Sequence, residues 1–150
     1  MKIHFVCTGN VFRSRLAEAY LKSKNIADLV ISSSGTEAQN NIGKSIEKYT
    51  VIVSKNHNIE QFLSDYWVQT AKEGIEQQDL VIFMQPIHYE FCHDRLGCKV
   101  SNYEIWDVQD IPDELSEKTP VDMDTIIALA EDGFQKIKSG IDTLISNGII

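Results

Sequence analysis

Positive charge is in short supply in this chain. It has 14 lysines and arginines against 22 acidic residues, a formal net charge of −8. That balance argues against non-specific nucleic-acid binding. Cysteine is scarce too. The three present make no even disulfide framework, and a reducing compartment, the cytoplasm, suits them. With three prolines, no Pro-rich linker or low-complexity segment divides the chain. No long apolar stretch occurs, and Ile3 to Val6 is too short for a signal-peptide core or a membrane span, so no membrane partner is expected. The four histidines, His4, His57, His88 and His93, show no ligand pattern with the cysteines, so neither a metal nor another cofactor is expected. What remains is a chain of 150 residues, 43% hydrophobic, expected to form one domain over 1–150.

Apolar runs alternate with helical patterns. Strands are expected at Lys2–Val6, Leu29–Ser33, Asp79–Met84 and Cys98–Ser101. Helices are expected from Ser14 to Lys24, from Ser45 to Asn56, after a capping-box pattern at Thr70–Glu73, and from Pro86 to Leu96. Glu37 to Gly43 reads as a polar loop, and Tyr103 to Pro120 as a long acidic one. Asp122 caps a final helix with the stripe Ile126, Ile127, Ala130, Phe134, Ile137, Ile141 and Leu144. This order predicts an α/β fold, a four-stranded parallel sheet with helices on both faces. Ligands of such sheets bind at the carboxyl edge, where the loop after the first strand lies.

That loop carries the chemistry. Cys7-Thr8-Gly9-Asn10-Val11-Phe12-Arg13-Ser14 follows the apolar run directly and opens a helix. Loop N–H groups and the unpaired N–H groups of the first helical turn converge there on an oxyanion. Gly9 and Asn10 are the residue types that best tolerate positive φ. Arg13 can clamp a tetrahedral anion with a planar fork, and the same surroundings favour a thiolate at Cys7. Thr8, Gly9, Asn10, Val11, Phe12 and Ser14 are thus candidate phosphate-binding residues, with Cys7 and Arg13 as candidate nucleophile and transition-state clamp. Arg15 and Lys44 are candidates for extra positive potential near the mouth.

The run Val6 to Glu18 resembles the signature of the low-molecular-weight protein tyrosine phosphatases, which are related to thioredoxin-coupled arsenate reductases. Ser33-Ser34-Gly35-Thr36, Asp79 to Met84, His88 and the acidic loop from Trp106 to Asp113 extend the resemblance. It implies a phosphotyrosine protein phosphatase I-like fold. It also implies hydrolysis of a phosphorylated protein or a small phosphate ester through a cysteinyl-phosphate, with phosphate or sulfate able to occupy the loop. Asn10 resembles the residue that pins the loop, and Ser33 its partner. The general acid would be an aspartate of the acidic loop. One register selects Asp110, which is preferred; another selects Asp113.

The chain departs from the family pattern in several places. Phe12 stands where many relatives have a second cysteine, and Arg15 where they have proline. The usual aromatic wall is missing from Glu37–Asn41 and from after the aspartate. Tyr49, Tyr66 and Trp67 are possible substitutes, though core packing is the commoner role for each. Two alternatives follow. One is an arsenate reductase using Cys92 and Cys98; the other is a non-catalytic module that binds phosphate or a phosphoprotein.

Overall fold

The computed structural model describes residues 1–112 and 122–150. Its centre is a four-stranded parallel sheet in the order β2-β1-β3-β4. β1 (Lys2–Cys7) and β3 (Leu80–Phe83) lie inside it, which is why both read as uninterrupted apolar runs. β2 (Val30–Gly35) pairs with β1 so that Cys7 aligns with Gly35. β4 (Tyr103–Ile105) closes the other edge against β3.

Alternation along β1 sends Ile3, Phe5 and Cys7 to one face and Val6 to the other. The first face packs on α1 (Arg13–Ser23) and the last helix through Leu16, Leu21, Phe134 and Ile141. A smaller cluster on the second face holds Val81, Phe83, Ile75, Cys92 and Cys98. α2 (Lys48–Asn56), α3 (Lys72–Glu76) and α4 (Pro86–Glu90) complete the helices before α5 (Met123–Ser146). Asp122 caps α5 by accepting from the Asp124 N–H at 3.2 Å. The expected stripe is buried except for Ile127, which is half-buried. No helix among the described residues is long and apolar enough to cross a membrane.

The structure corrects several expectations. The fourth strand is Tyr103–Ile105, not Cys98–Ser101. The Cys98 N–H is spent on the Cys92 carbonyl, closing a π-helical turn at Phe91–Arg95, and the Lys99 N–H goes to Glu76. Those two N–H groups are therefore not available to a sheet ladder. The same turn ends the expected helix Pro86–Leu96 early as regular α-helix. Thr70 opens no capping box. Its hydroxyl meets Ser34 Oγ at 2.8 Å, and α3 starts at Lys72 without a side-chain cap. Ala38–Asn41, read as plain loop, forms a short 3₁₀ turn.

Candidate active site

Cys7 ends β1 with its side chain buried on the α1 face. The chain then turns through Asn10, at φ +54°, into α1. Positive φ falls on Asn10 and not, as expected, also on Gly9. Gly9 is small for another reason. Asn41 Nδ2 donates to the Gly9 carbonyl at 2.8 Å, and a Cβ on Gly9 would come within 3.1 Å of that nitrogen. No side chain caps the start of α1, so its first N–H groups face the loop.

The hydrogen bonds around Asn10 have a fixed direction. Its Oδ1 accepts from the Val68 N–H at 2.8 Å and from Arg15 Nη2 at 2.9 Å, groups that can only donate. Nδ2 therefore donates to Ser14 Oγ at 2.8 Å and to Ser33 Oγ at 2.9 Å. The Ser14 hydroxyl lies 2.9 Å from Cys7 Sγ, where it can donate to a thiolate. The Asn10 N–H reaches the same sulfur at 3.2 Å. Ser33 passes its own hydrogen to Glu18, whose carboxylate also meets Lys22 and accepts from Ser64 Oγ at 2.9 Å. Ser14 pairs with the sulfur and does not cap the helix. Thr50 Oγ1 ties the loop to α2 by donating to the Val11 carbonyl at 2.8 Å.

Arg13 is 1% exposed and almost fully engaged. Nη1 donates to Gln85 Oε1 at 2.6 Å and to the Val108 carbonyl at 3.0 Å. Nη2 donates to Thr8 Oγ1 at 3.0 Å and to Asp110 Oδ2 at 2.5 Å. Nε is buried with no partner among the described residues. An orphan donor on a buried cation beside a loop of N–H groups suits an oxyanion. His88 completes a ring around the guanidinium. Its Nδ1 accepts from the Gln85 N–H at 3.0 Å, so Nε2 carries the proton and donates to Thr8 Oγ1 at 3.0 Å. Burial, with Arg13 adding repulsion, pushes His88 down to about 3 and keeps the ring neutral.

The acidic loop reaches this ring because the Trp106 and Val108 N–H groups continue onto the Phe83 and Met84 carbonyls at 3.0 and 2.7 Å. Asp110 thereby comes to Arg13, and its Oδ1 accepts from the Ile111 N–H at 3.0 Å. Asp113, the alternative acid, lies outside the described residues. Cys7, Thr8, Gly9, Val11, Phe12, Arg13 and Asp110 share one cavity of about 260 Å³, with Tyr49 and Lys44 on its wall. Asn10 and Ser14 support it from behind. Tyr49 packs edge-on against Phe12 at 5.2 Å, and both aromatic residues line the cavity. Tyr66 and Trp67 line a different recess.

Arg15 is not at the mouth. It is 2% exposed, behind the loop, bonded to Asn10 and to the Tyr66 carbonyl. Cys92 and Cys98 are not brought to Cys7; they lie in the core cluster of the opposite sheet face. Burial raises both thiols, Cys92 to about 12, so neither is a ready thiolate for taking oxidation over from Cys7. Sequence reasoning missed Gln85, Glu18 and Thr50, whose roles come from distant segments and leave no local pattern.

A family model described as low molecular weight phosphotyrosine protein phosphatase matches residues 2–110. No curated protein sequence matches the chain. Similar solved structures include Wzb of Vibrio vulnificus in complex with benzylphosphonate, with a TM-score of 0.72 at 19% identity over 95% of this chain and 98% of that one. The YwlE arginine phosphatase of Geobacillus stearothermophilus gives 0.72 at 23% identity, over 99% of this chain and 95% of that one. A low molecular weight protein tyrosine phosphatase of T. tengcongensis gives 0.72 at 24% identity, over 96% and 99%.

Proposed function

This chain belongs to the low molecular weight phosphotyrosine protein phosphatase family, and from that premise we propose that it hydrolyses phosphomonoesters, phosphotyrosine in protein foremost, through a cysteinyl-phosphate on Cys7. The observation that carries the reading is that Cys7 and Arg13 line one cavity. The sulfur lies within hydrogen-bond distance of Ser14 Oγ and the Asn10 N–H, and the buried guanidinium has an Nε with no partner among the described residues. Benzylphosphonate, bound by the Vibrio protein, is an aryl-alkyl relative of such substrates. We place the working compartment in the cytoplasm, where reducing conditions preserve the thiol.

In the first step Cys7 sulfur attacks phosphorus while the bond to the ester oxygen breaks. The N–H groups of 8–14 and Arg13 hold the three equatorial oxygens, where charge develops. Asp110, which takes up a proton from solvent once Arg13 releases it, gives that proton to the leaving oxygen. Arg13 Nη2 is held by Asp110 in the free protein, so the entering phosphoryl group takes over that donor and frees the carboxyl to turn to the leaving group. In the second step Asp110 takes a proton from water, which attacks phosphorus and releases phosphate and the thiolate. Tyr49 offers an aromatic face to a phenyl ester from α2, in place of the missing family aromatics.

The test is steady-state hydrolysis of an aryl phosphate and a phosphotyrosine peptide by the wild type and by Cys7→Ser. The wild type should turn over both. The serine variant should be inactive yet still bind inorganic phosphate. Hydrolysis of phosphoarginine alone would redirect the substrate class, and wild-type-like turnover by the serine variant would remove Cys7 from the chemistry.

A further inference from the structure

Resting on that reading, we propose that a second cavity beside the catalytic loop is a substrate subsite for the cationic side chain of a residue flanking the phosphorylated one. This cavity, about 320 Å³, lies against α4 and the turn that follows it. Thr8 and Glu37 line both it and the catalytic cavity, so a peptide with its phosphoryl group on Cys7 passes over its rim.

The lining has two parts. Ile87, 64% exposed, and Phe91 give an apolar floor. Glu37, Glu90 and Asp94 set three carboxylates around it against the single guanidinium of Arg95. An apolar floor under a mainly acidic rim matches lysine or arginine, whose stem covers Ile87 while the head meets carboxylate. Arg95 lies 6.0 Å from the Phe91 ring, so the chain's own guanidinium takes that face and the substrate cation is left to Ile87 and the carboxylates. Glu37 gives the strongest argument. Its N–H bonds the Thr8 carbonyl at 2.9 Å, which fixes its backbone on the catalytic loop. A dianionic phosphoryl group entering next to this carboxylate is repelled, in a chain that already carries −8. A cation on the substrate at the shared rim offsets that repulsion; an acidic flanking residue adds to it.

The experiment uses three phosphotyrosine peptides that differ only in lysine, alanine or glutamate beside the phosphorylated residue, with a small aryl phosphate as reference. Wild-type kcat/KM should favour the lysine peptide over the glutamate peptide by about fivefold to tenfold, the size of one or two partly exposed ion pairs. Glu90→Lys combined with Asp94→Lys should abolish or invert the order and leave aryl phosphate turnover unchanged. Calorimetric binding to Cys7→Ser should rank the peptides as the wild type does. Equal binding of all three, or a preference that survives the double variant, overturns the subsite. Ranked binding without turnover of any ester overturns the phosphatase reading instead and leaves the subsite standing.

Discussion

At Asp110 the informative experiment is a leaving-group series. Asp110→Asn should slow esters of poor leaving groups by roughly 10²–10⁴-fold and those of good leaving groups far less, because only the former need a proton in the transition state. Asp107→Asn should show little of this, since its carboxylate accepts from Gln109 and its partners do not include Arg13. Should Asp113→Asn carry the leaving-group-dependent loss instead, the proton donor lies three residues further on. Gln85 is a second point of test. Gln85→Leu removes an acceptor from a charged donor, a bond worth about 1.5–3 kcal/mol, so kcat/KM should fall roughly tenfold or more. Unchanged kinetics in that variant would mean that Val108 and Thr8 position Arg13 unaided.

Among the elements, the loop from β1 into α1 was legible in the sequence because its parts are contiguous. A candidate nucleophile at Cys7, a tolerant turn residue at Asn10 and an arginine at the helix start fall within seven successive positions. The inner strands were legible for a similar reason, as their burial on both faces leaves continuous apolar runs. β4 was not. It is a three-residue edge strand whose Tyr103 is explained by stacking on Tyr89 at 4.5 Å, a contact no sequence pattern announces. Gln85, Thr50 and Glu18 were hidden in the same way, because each acts across the fold. Gly35 shows how tightly β2 meets the loop. A Cβ there would stand 2.4 Å from the Thr8 carbonyl oxygen and 2.7 Å from the Asn10 nitrogen, both backbone atoms. Gly35→Ala should therefore cost about 1–3 kcal/mol in urea unfolding and impair turnover, as the loop is pushed out of register. Wild-type stability and activity in this variant would show the loop to be more pliant than its hydrogen bonds imply.

Across the whole molecule, two buried histidines link stability to pH. His4, between Ser32 and Ser34, is lowered to about 4 by burial against an opposing pull from Glu18, and His88 to about 3 by burial and Arg13. Both folded values lie below the free value of 6.5, so as pH falls the unfolded chain takes up protons first. Their contribution is complete above about pH 6.5 and is lost as pH falls toward 4, by on the order of a few kcal/mol. Urea unfolding at pH 7 and pH 4.5 should show that loss, and His88→Gln should lessen it; equal slopes in variant and wild type would acquit His88. The central claim, that Cys7 carries the phosphoryl group, has a more direct test. Wild-type protein is mixed with an aryl phosphate, quenched in acid during turnover, digested and measured by mass spectrometry. One phosphoryl group should appear on the peptide containing Cys7, and more of it should accumulate in Asp110→Asn with a good leaving group, because the second step lacks its base. Steady turnover with no phosphoryl group on Cys7 at any quench time would contradict the account.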